Sequence, residues 1–63
     1  MENKYTIYAT DWAYKMTHKV RSLYTEEHYD KTMEEVKTIV ADLKARGVQY
    51  HVTNATGGII MRG

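Results

Sequence analysis

The chain has 63 residues, with nine Lys or Arg against eight Asp or Glu, and it contains no cysteine. This composition excludes disulfide bonds and thiolate zinc sites, and a net charge of +1 lacks the strong basic excess of a dedicated nucleic-acid-binding domain. A chain this short forms one domain, residues 1–63, and buries only about 60% of its unfolded surface. Because self-association commonly stabilises such small domains, we expect a homo-oligomer.

The first predicted element is a strand over residues 4–10, in which the side chains alternate in polarity. Tyr5, Ile7 and Ala9 share one face, while Tyr8 lies on the other. Residues 11–14 interrupt the alternation and predict a broad hairpin loop with a bulge. Residues 16–24 resume it and predict a second strand, which Leu23 does not fit.

The third predicted element is a long amphipathic helix from Thr25 to Gly47. Thr25 is its N-cap, followed by two glutamates in the first turn, and Gly47 ends it after two cations in the last turn. Tyr24 and Tyr29 fit the positions of a hydrophobic staple, although His28 leaves the capping box incomplete. Spacings of three and four residues place the following apolar side chains on one stripe: Tyr29, Met33, Val36, Ile39, Val40 and Leu43.

Two short strands follow the predicted helix. Val48, Tyr50 and Val52 alternate with polar residues, which is typical of a half-buried strand. Residues 54–58 form a turn cluster rich in glycine, asparagine and threonine. Residues 59–61 form a fourth strand, and their consecutive apolar side chains predict that it is covered on both faces.

The order of elements is therefore β-β-α-β-β, an α+β domain in which one helix packs across a four-stranded sheet. Two arrangements fit this order. One resembles the β-grasp fold, with the terminal strands paired in parallel at the centre of the sheet. The other is an antiparallel sheet in which the two hairpins meet edge to edge. Fold analogy by itself indicates no function.

Catalytic and metal-binding patterns are weak in this sequence, which carries no motif of high specificity. His18, His28 and His51 are not spaced as metal ligands, and exposed or cross-strand histidines explain them. Ser22 lies inside the predicted second strand and lacks the glycine elbow of a catalytic serine. We therefore predict a protein that is not an enzyme and that has no metal and no cofactor.

The strongest candidate site is the N-terminal hairpin, which combines aromatic and basic residues within 14 positions. Aromatic stacking combined with cationic contacts is how sheet surfaces bind nucleotides and single-stranded nucleic acids. Trp, Tyr and Arg also dominate protein-binding hot spots. The simpler interpretation is that Trp12 covers one end of the core and the cations are solvated. The candidate residues are Tyr8, Trp12, Tyr14, Lys15, His18, Lys19 and Arg21.

Two functional hypotheses follow from this site. The first is a non-enzymatic interaction protein that self-associates through its sheet and binds, modulates or inhibits another protein, in the manner of small phage or mobile-element inhibitors and adaptors. The second is a nucleotide or nucleic-acid binder that uses the hairpin. The first residues lack the basic segment and apolar run of a secretion signal, so we expect a cytoplasmic protein that does not bind a membrane.

Overall fold

Four strands and two helices form the domain, of which a computed structural model describes residues 4–63. The elements in chain order are β1 Tyr5–Thr10, α1 Trp12–Thr17, β2 Glu26–Lys31, α2 Met33–Arg46, β3 Gln49–Thr53 and β4 Ile59–Arg62. The α+β class and the long helix beside a four-stranded sheet are confirmed. Neither helix in the described part of the chain is long and apolar enough to cross a membrane.

The sheet has the strand order β2-β1-β3-β4, and every neighbouring pair is antiparallel. The two strand pairs therefore meet edge to edge through β1 and β3, with Ile7 opposite Val52. This is the antiparallel alternative of the two arrangements, and the parallel terminal pair of a β-grasp sheet does not form. Strand β3 rather than β4 lies beside β1, because β3 carries the buried residues Tyr50 and Val52, whereas Ile59 and Ile60 of β4 are exposed as on an edge strand.

The core lies between one sheet face and α2. Alternation along β1 buries Ile7 and Ala9 on the face toward the helix, as predicted, and leaves Tyr8 on the open face. Among residues 4–63, the buried apolar residues are Ile7, Ala9, Val36, Val40, Leu43, Val48, Tyr50 and Val52. Burial of this set is the main stabilising contribution to the fold.

Helix α2 begins seven residues later than the sequence indicated. Thr32 is the N-cap, and a complete capping box joins it to Glu35: the Glu35 amide donates to the Thr32 hydroxyl and the Thr32 amide donates to the Glu35 carboxylate. Thr25 was therefore the wrong N-cap. Residues 26–31 pair with β1 as strand β2, so the predicted Tyr24–Tyr29 staple is absent. The predicted end at Gly47 is confirmed by its left-handed conformation, with φ of 71°.

The predicted second strand over residues 16–24 was also wrong. Residues 12–17 form α1, and the chain then makes irregular turns before β2. Asp11, which was assigned to a hairpin loop, caps this helix because its carboxylate accepts from the Tyr14 amide at 3.1 Å. Strand β4 exists as predicted, but it is not covered on both faces, since Ile59 and Ile60 are 51% and 42% exposed.

Candidate functional site

Helix α1 has no buried residue, and several of its large apolar side chains are exposed to solvent. Trp12, Tyr14 and Met16 are 55%, 49% and 77% exposed. Isolated helices this short are unstable in water, so local caps and tethers must hold α1 in place. An exposed group of this kind on a small protein is typical of an interaction surface.

The base of α1 is tethered to β1 by hydrogen bonds. The Asp11 amide donates to the Thr25 hydroxyl at 2.9 Å, and the Thr25 amide donates to the Ala9 carbonyl at 2.9 Å. The Thr10 hydroxyl donates to the Leu23 carbonyl at 3.1 Å. These bonds close residues 11–25 into one projection from the sheet, which we call the α1 arm.

Trp12 is held in one orientation although half of it is exposed. Its indole N–H donates to the Gln49 side-chain oxygen at 2.7 Å, which ties the arm to β3. The Lys15 ammonium lies 4.9 Å from the centre of the indole ring, within the range of a cation–π contact. Met16 follows Trp12 by four residues, so the two side chains share one face of α1.

Tyr14 and His18 form a second pair on the arm. Their rings stack with centroids 4.0 Å apart. The His18 amide donates to the Tyr14 carbonyl at 2.9 Å and closes the last turn of the helix. Past this turn, the exposed cations Lys19 and Arg21 lie on the irregular part of the arm.

A separate group of rings occupies the open face of the sheet. Tyr8 lies at its centre, with ring centroids 4.8 Å from Tyr24, 6.2 Å from Tyr29 and 5.1 Å from His51. We call these four residues the tyrosine cluster. The Tyr29 hydroxyl donates to the Glu27 carboxylate, and this bond raises the pKa of Tyr29 to about 12 because it favours the neutral phenol.

A cleft of about 320 Å³ lies where the arm meets the sheet and the end of α2, lined by Asp11, Tyr14, Thr25, Glu26 and Arg46. Its charges satisfy one another: Arg46 donates to the Glu26 carboxylate at 2.8 Å and to Asp42 at 2.9 Å. The bond from Arg46 holds the pKa of Glu26 below its usual value. Because the arginine is already occupied, the cleft serves as a structural junction.

The predicted site residues therefore divide between two surfaces. The arm brings Trp12 and Lys15 into contact, pairs Tyr14 with His18, and carries Lys19 and Arg21. Tyr8 belongs to the tyrosine cluster instead. Sequence reasoning missed the exposed Met16 and Leu23 on the arm, and Tyr24, Tyr29 and His51 in the tyrosine cluster. The four-residue spacings of Trp12 with Met16 and of Tyr14 with His18 were the available signal for a helix.

Within residues 4–63, no group of three or more His, Asp or Glu side chains is arranged to hold a metal ion. Comparisons of the chain with protein-family models, with curated proteins and with solved structures find no match.

Proposed function

We propose that this protein is a non-enzymatic interaction protein that binds another protein through the α1 arm and thereby modulates or inhibits it. The observation that carries the proposal is that α1 buries none of its residues while it exposes Trp12, Tyr14 and Met16. The proposal includes a cytoplasmic location, which is compatible with a chain that has no cysteine.

Preorganisation supports the arm as a binding element. Ordering a flexible side chain on binding costs about 0.5–1.5 kcal/mol. The bond from Trp12 to Gln49 and the ring stack of Tyr14 on His18 reduce that cost, because they hold both rings before a partner arrives. Trp and Tyr in such positions are the residues that dominate measured hot spots.

Charge on the arm favours a partner with an acidic surface. Lys15, Lys19 and Arg21 lie within or directly after α1, and Asp11 is occupied in capping the helix. Cations at the rim of an interface act mainly on the association rate, through long-range attraction. The aromatic side chains then control dissociation.

Affinity capture from the native host tests the arm. We expect a bound protein that is retained by the wild type and lost with Trp12→Ala. Ile59→Ala is the control, because Ile59 is about as exposed as Trp12, at 51%, and belongs neither to the arm nor to the tyrosine cluster. With the purified partner, Trp12→Ala should weaken binding by about 2 kcal/mol or more, mainly through faster dissociation. Equal binding by Trp12→Ala, Tyr14→Ala and the wild type would contradict the proposal.

The second candidate function is binding of a nucleotide or a single-stranded nucleic acid, and the tyrosine cluster favours it. Tyr8, Tyr24 and Tyr29 offer rings on the open face of a four-stranded sheet, and the arm supplies cations. A gel shift at low salt tests this function. Lys19→Ala with Arg21→Ala should flatten the salt dependence, and Tyr29→Ala should remove about 1–3 kcal/mol of stacking. If no shift is seen at any salt concentration, binding of nucleic acids is excluded. Binding of free nucleotides is tested separately by calorimetric titration.

Self-association through the sheet is part of the first proposal. The core comprises only eight buried apolar residues in the described chain, and the open face carries the exposed Tyr29. Sedimentation equilibrium should therefore show a dimer or larger species at micromolar concentration. Tyr29→Arg should shift the distribution toward the monomer. A wild-type species of 7.4 kDa at every concentration would contradict self-association.

A further inference from the structure

The sheet face that packs against α2 is wider than the helix. Four strands spaced about 4.8 Å apart make a sheet about 19 Å wide, whereas a helix with its side chains is about 10–12 Å across. Helix α2 packs mainly against β1, β2 and β3. Strand β4 is the edge strand beyond β3, so the part of this face over β4 lies beside the helix and not beneath it.

A groove of about 500 Å³ lies there, between α2 and β4. Met61 contributes to its floor, since it lies opposite the buried Val52 and paired residues share one face of a sheet. Val40 and Tyr50 add further apolar surface, and the exposed Ala41 lies at the rim with no large side chain to close the groove. We call this surface the α2–β4 groove.

Two lysines on α2 give the groove a positive charge. Lys37 and Lys44 line it and are exposed, and none of the described residues that line it is acidic. Within residues 4–63 neither lysine takes part in an ion pair. An approaching acidic group therefore meets two cations whose charge is not neutralised by the described chain, so the groove favours an acidic partner.

The spacing of the two lysines matches a helix in the groove. Lys44 follows Lys37 by seven positions, which is close to two turns and a rise of about 10.5 Å along α2. A second helix that lies alongside α2 has the same rise, so two carboxylates seven residues apart on it meet both lysines. The side chains three and four positions after the first carboxylate lie between the two carboxylates on the same face, and they point to the apolar floor.

The helices of a second copy fit this groove poorly. Helix α1 exposes large apolar side chains, but it would also bring the cation Lys15 toward Lys37 and Lys44. Of the described residues on the outer face of α2, Glu34 and Asp42 are acidic, and none has a large exposed apolar side chain that could fill the floor. A helix that is both acidic and apolar must therefore come from a partner protein.

We propose that the α2–β4 groove binds an acidic amphipathic helix of a partner protein, which lies alongside α2 and completes the helical layer over the sheet. Apolar side chains of that helix are buried against Met61 and Val40, and its carboxylates pair with Lys37 and Lys44. None of these residues belongs to the α1 arm. The groove is thus a second binding surface, and its role does not depend on the function proposed for the arm.

Fluorescence anisotropy with a labelled helical peptide tests the proposal. The peptide contains the core Glu-Ala-Ala-Leu-Leu-Ala-Ala-Glu, which has leucines between two glutamates seven residues apart. Lys37→Glu with Lys44→Glu should weaken binding about tenfold or more, and should strengthen binding of the peptide in which lysines replace both glutamates. Lys19→Glu with Arg21→Glu is the matched control, because it makes the same change in net charge on the exposed arm and should alter the affinity less than about threefold.

A steric test separates contact in the groove from long-range attraction. Ala41→Trp places a large ring at the rim without a change in charge and should weaken binding about tenfold. Ala45→Trp is its control and should bind as the wild type does, because Ala45 is exposed on the same helix outside the groove. Circular dichroism verifies that both variants fold. A peptide with proline in place of the first leucine cannot form the helix and should not bind.

Amide chemical shifts locate the bound peptide, and we expect the largest changes at Lys37, Ala41 and Met61. Equal binding of acidic and basic peptides, equal binding of the proline peptide, or no binding at millimolar peptide would overturn the proposal. A wild-type dimer that Ala41→Trp dissociates would also overturn it, because a second copy would then occupy the groove.

Discussion

The two helices of this small domain are stable for different reasons. Helix α2 has 14 residues and buries Val36, Val40 and Leu43 against the sheet. Helix α1 has six residues and buries none. Its capping residue Asp11 and the tethers of the arm take the place of a packed face. The comparison shows that in one small domain one helix can supply the buried side chains that stabilise the fold, while the side chains of the other helix stay exposed and free for binding.

The largest loss of stability is expected when a charge is buried in α2. Leu43→Asp places a carboxylate at a fully buried position, which costs several kcal/mol against a total stability of about 5 kcal/mol. We expect the variant to be unfolded at room temperature, as measured by circular dichroism. Ala45→Asp is the control, because Ala45 is exposed on the same helix. A Leu43→Asp melt close to that of the wild type would show that α2 is not packed through this stripe.

A smaller effect is expected at the start of α2. Thr32→Ala removes the hydroxyl of the capping box and should destabilise the protein by about 1 kcal/mol in urea unfolding. Thr38→Ala, an exposed change in the same helix, should shift stability by less than about 0.5 kcal/mol. If the two variants lose equal stability, the helix does not begin at Thr32.

The end of α2 gives a pH dependence. The bond from Arg46 lowers the pKa of Glu26 below its usual 4.5. Stabilisation from this carboxylate is therefore present above pH 4.5 and is lost as the pH falls through its lowered pKa. Glu26→Gln should flatten this part of the curve of unfolding free energy against pH, while Glu34→Gln should retain it. If Glu26→Gln loses as much unfolding free energy below pH 4.5 as the wild type does, the pair with Arg46 does not stabilise the fold.

The smallest change in stability is expected in α1. Trp12→Ala and Met16→Ala remove large side chains but should alter the free energy of unfolding by less than about 0.5 kcal/mol each, because both side chains are mostly solvated. Urea titrations measure this directly. A loss of 2 kcal/mol or more in Met16→Ala would mean that α1 contributes to the core and would remove the contrast between the helices.

The sequence predicted the parts of the fold in which burial and local signals agree. The body of α2, its end at Gly47 and the alternation of β1 and β3 were correct because apolar spacing and end signals coincide there. The start of α2 was misplaced because Tyr29 lies four residues before Met33 and extends the helical stripe by coincidence. Pairing with β1 overrides that local pattern, and a single sequence does not show such pairing.

The sequence identified most residues of the candidate site but not the secondary structure that carries them. Trp12, Tyr14 and Lys15 were named as members of a hairpin, and they lie instead on helix α1 of the arm. The assignment of Tyr8 to the same site was not supported by its position, since its neighbour Tyr24 reaches it from the far end of the arm. A contact of this kind depends on where the arm returns to the sheet, which no local spacing encodes.

The central pairing of β1 with β3 also bears on how fast the protein folds. The Thr53 hydroxyl donates to the Thr6 carbonyl at 3.5 Å across 47 positions of the chain. Joining these strands requires closure of a long loop, whereas β3 and β4 need only the turn over residues 54–58. We expect Val52→Ala, at the central pair, to slow refolding in stopped-flow experiments, and Ile60→Ala, at the edge, to act mainly on unfolding. Equal refolding rates in the two variants would place the rate-limiting step elsewhere. On this expectation the hairpin of β3 and β4 forms early, and closure of the long loop between β1 and β3 sets the rate at which the whole sheet assembles.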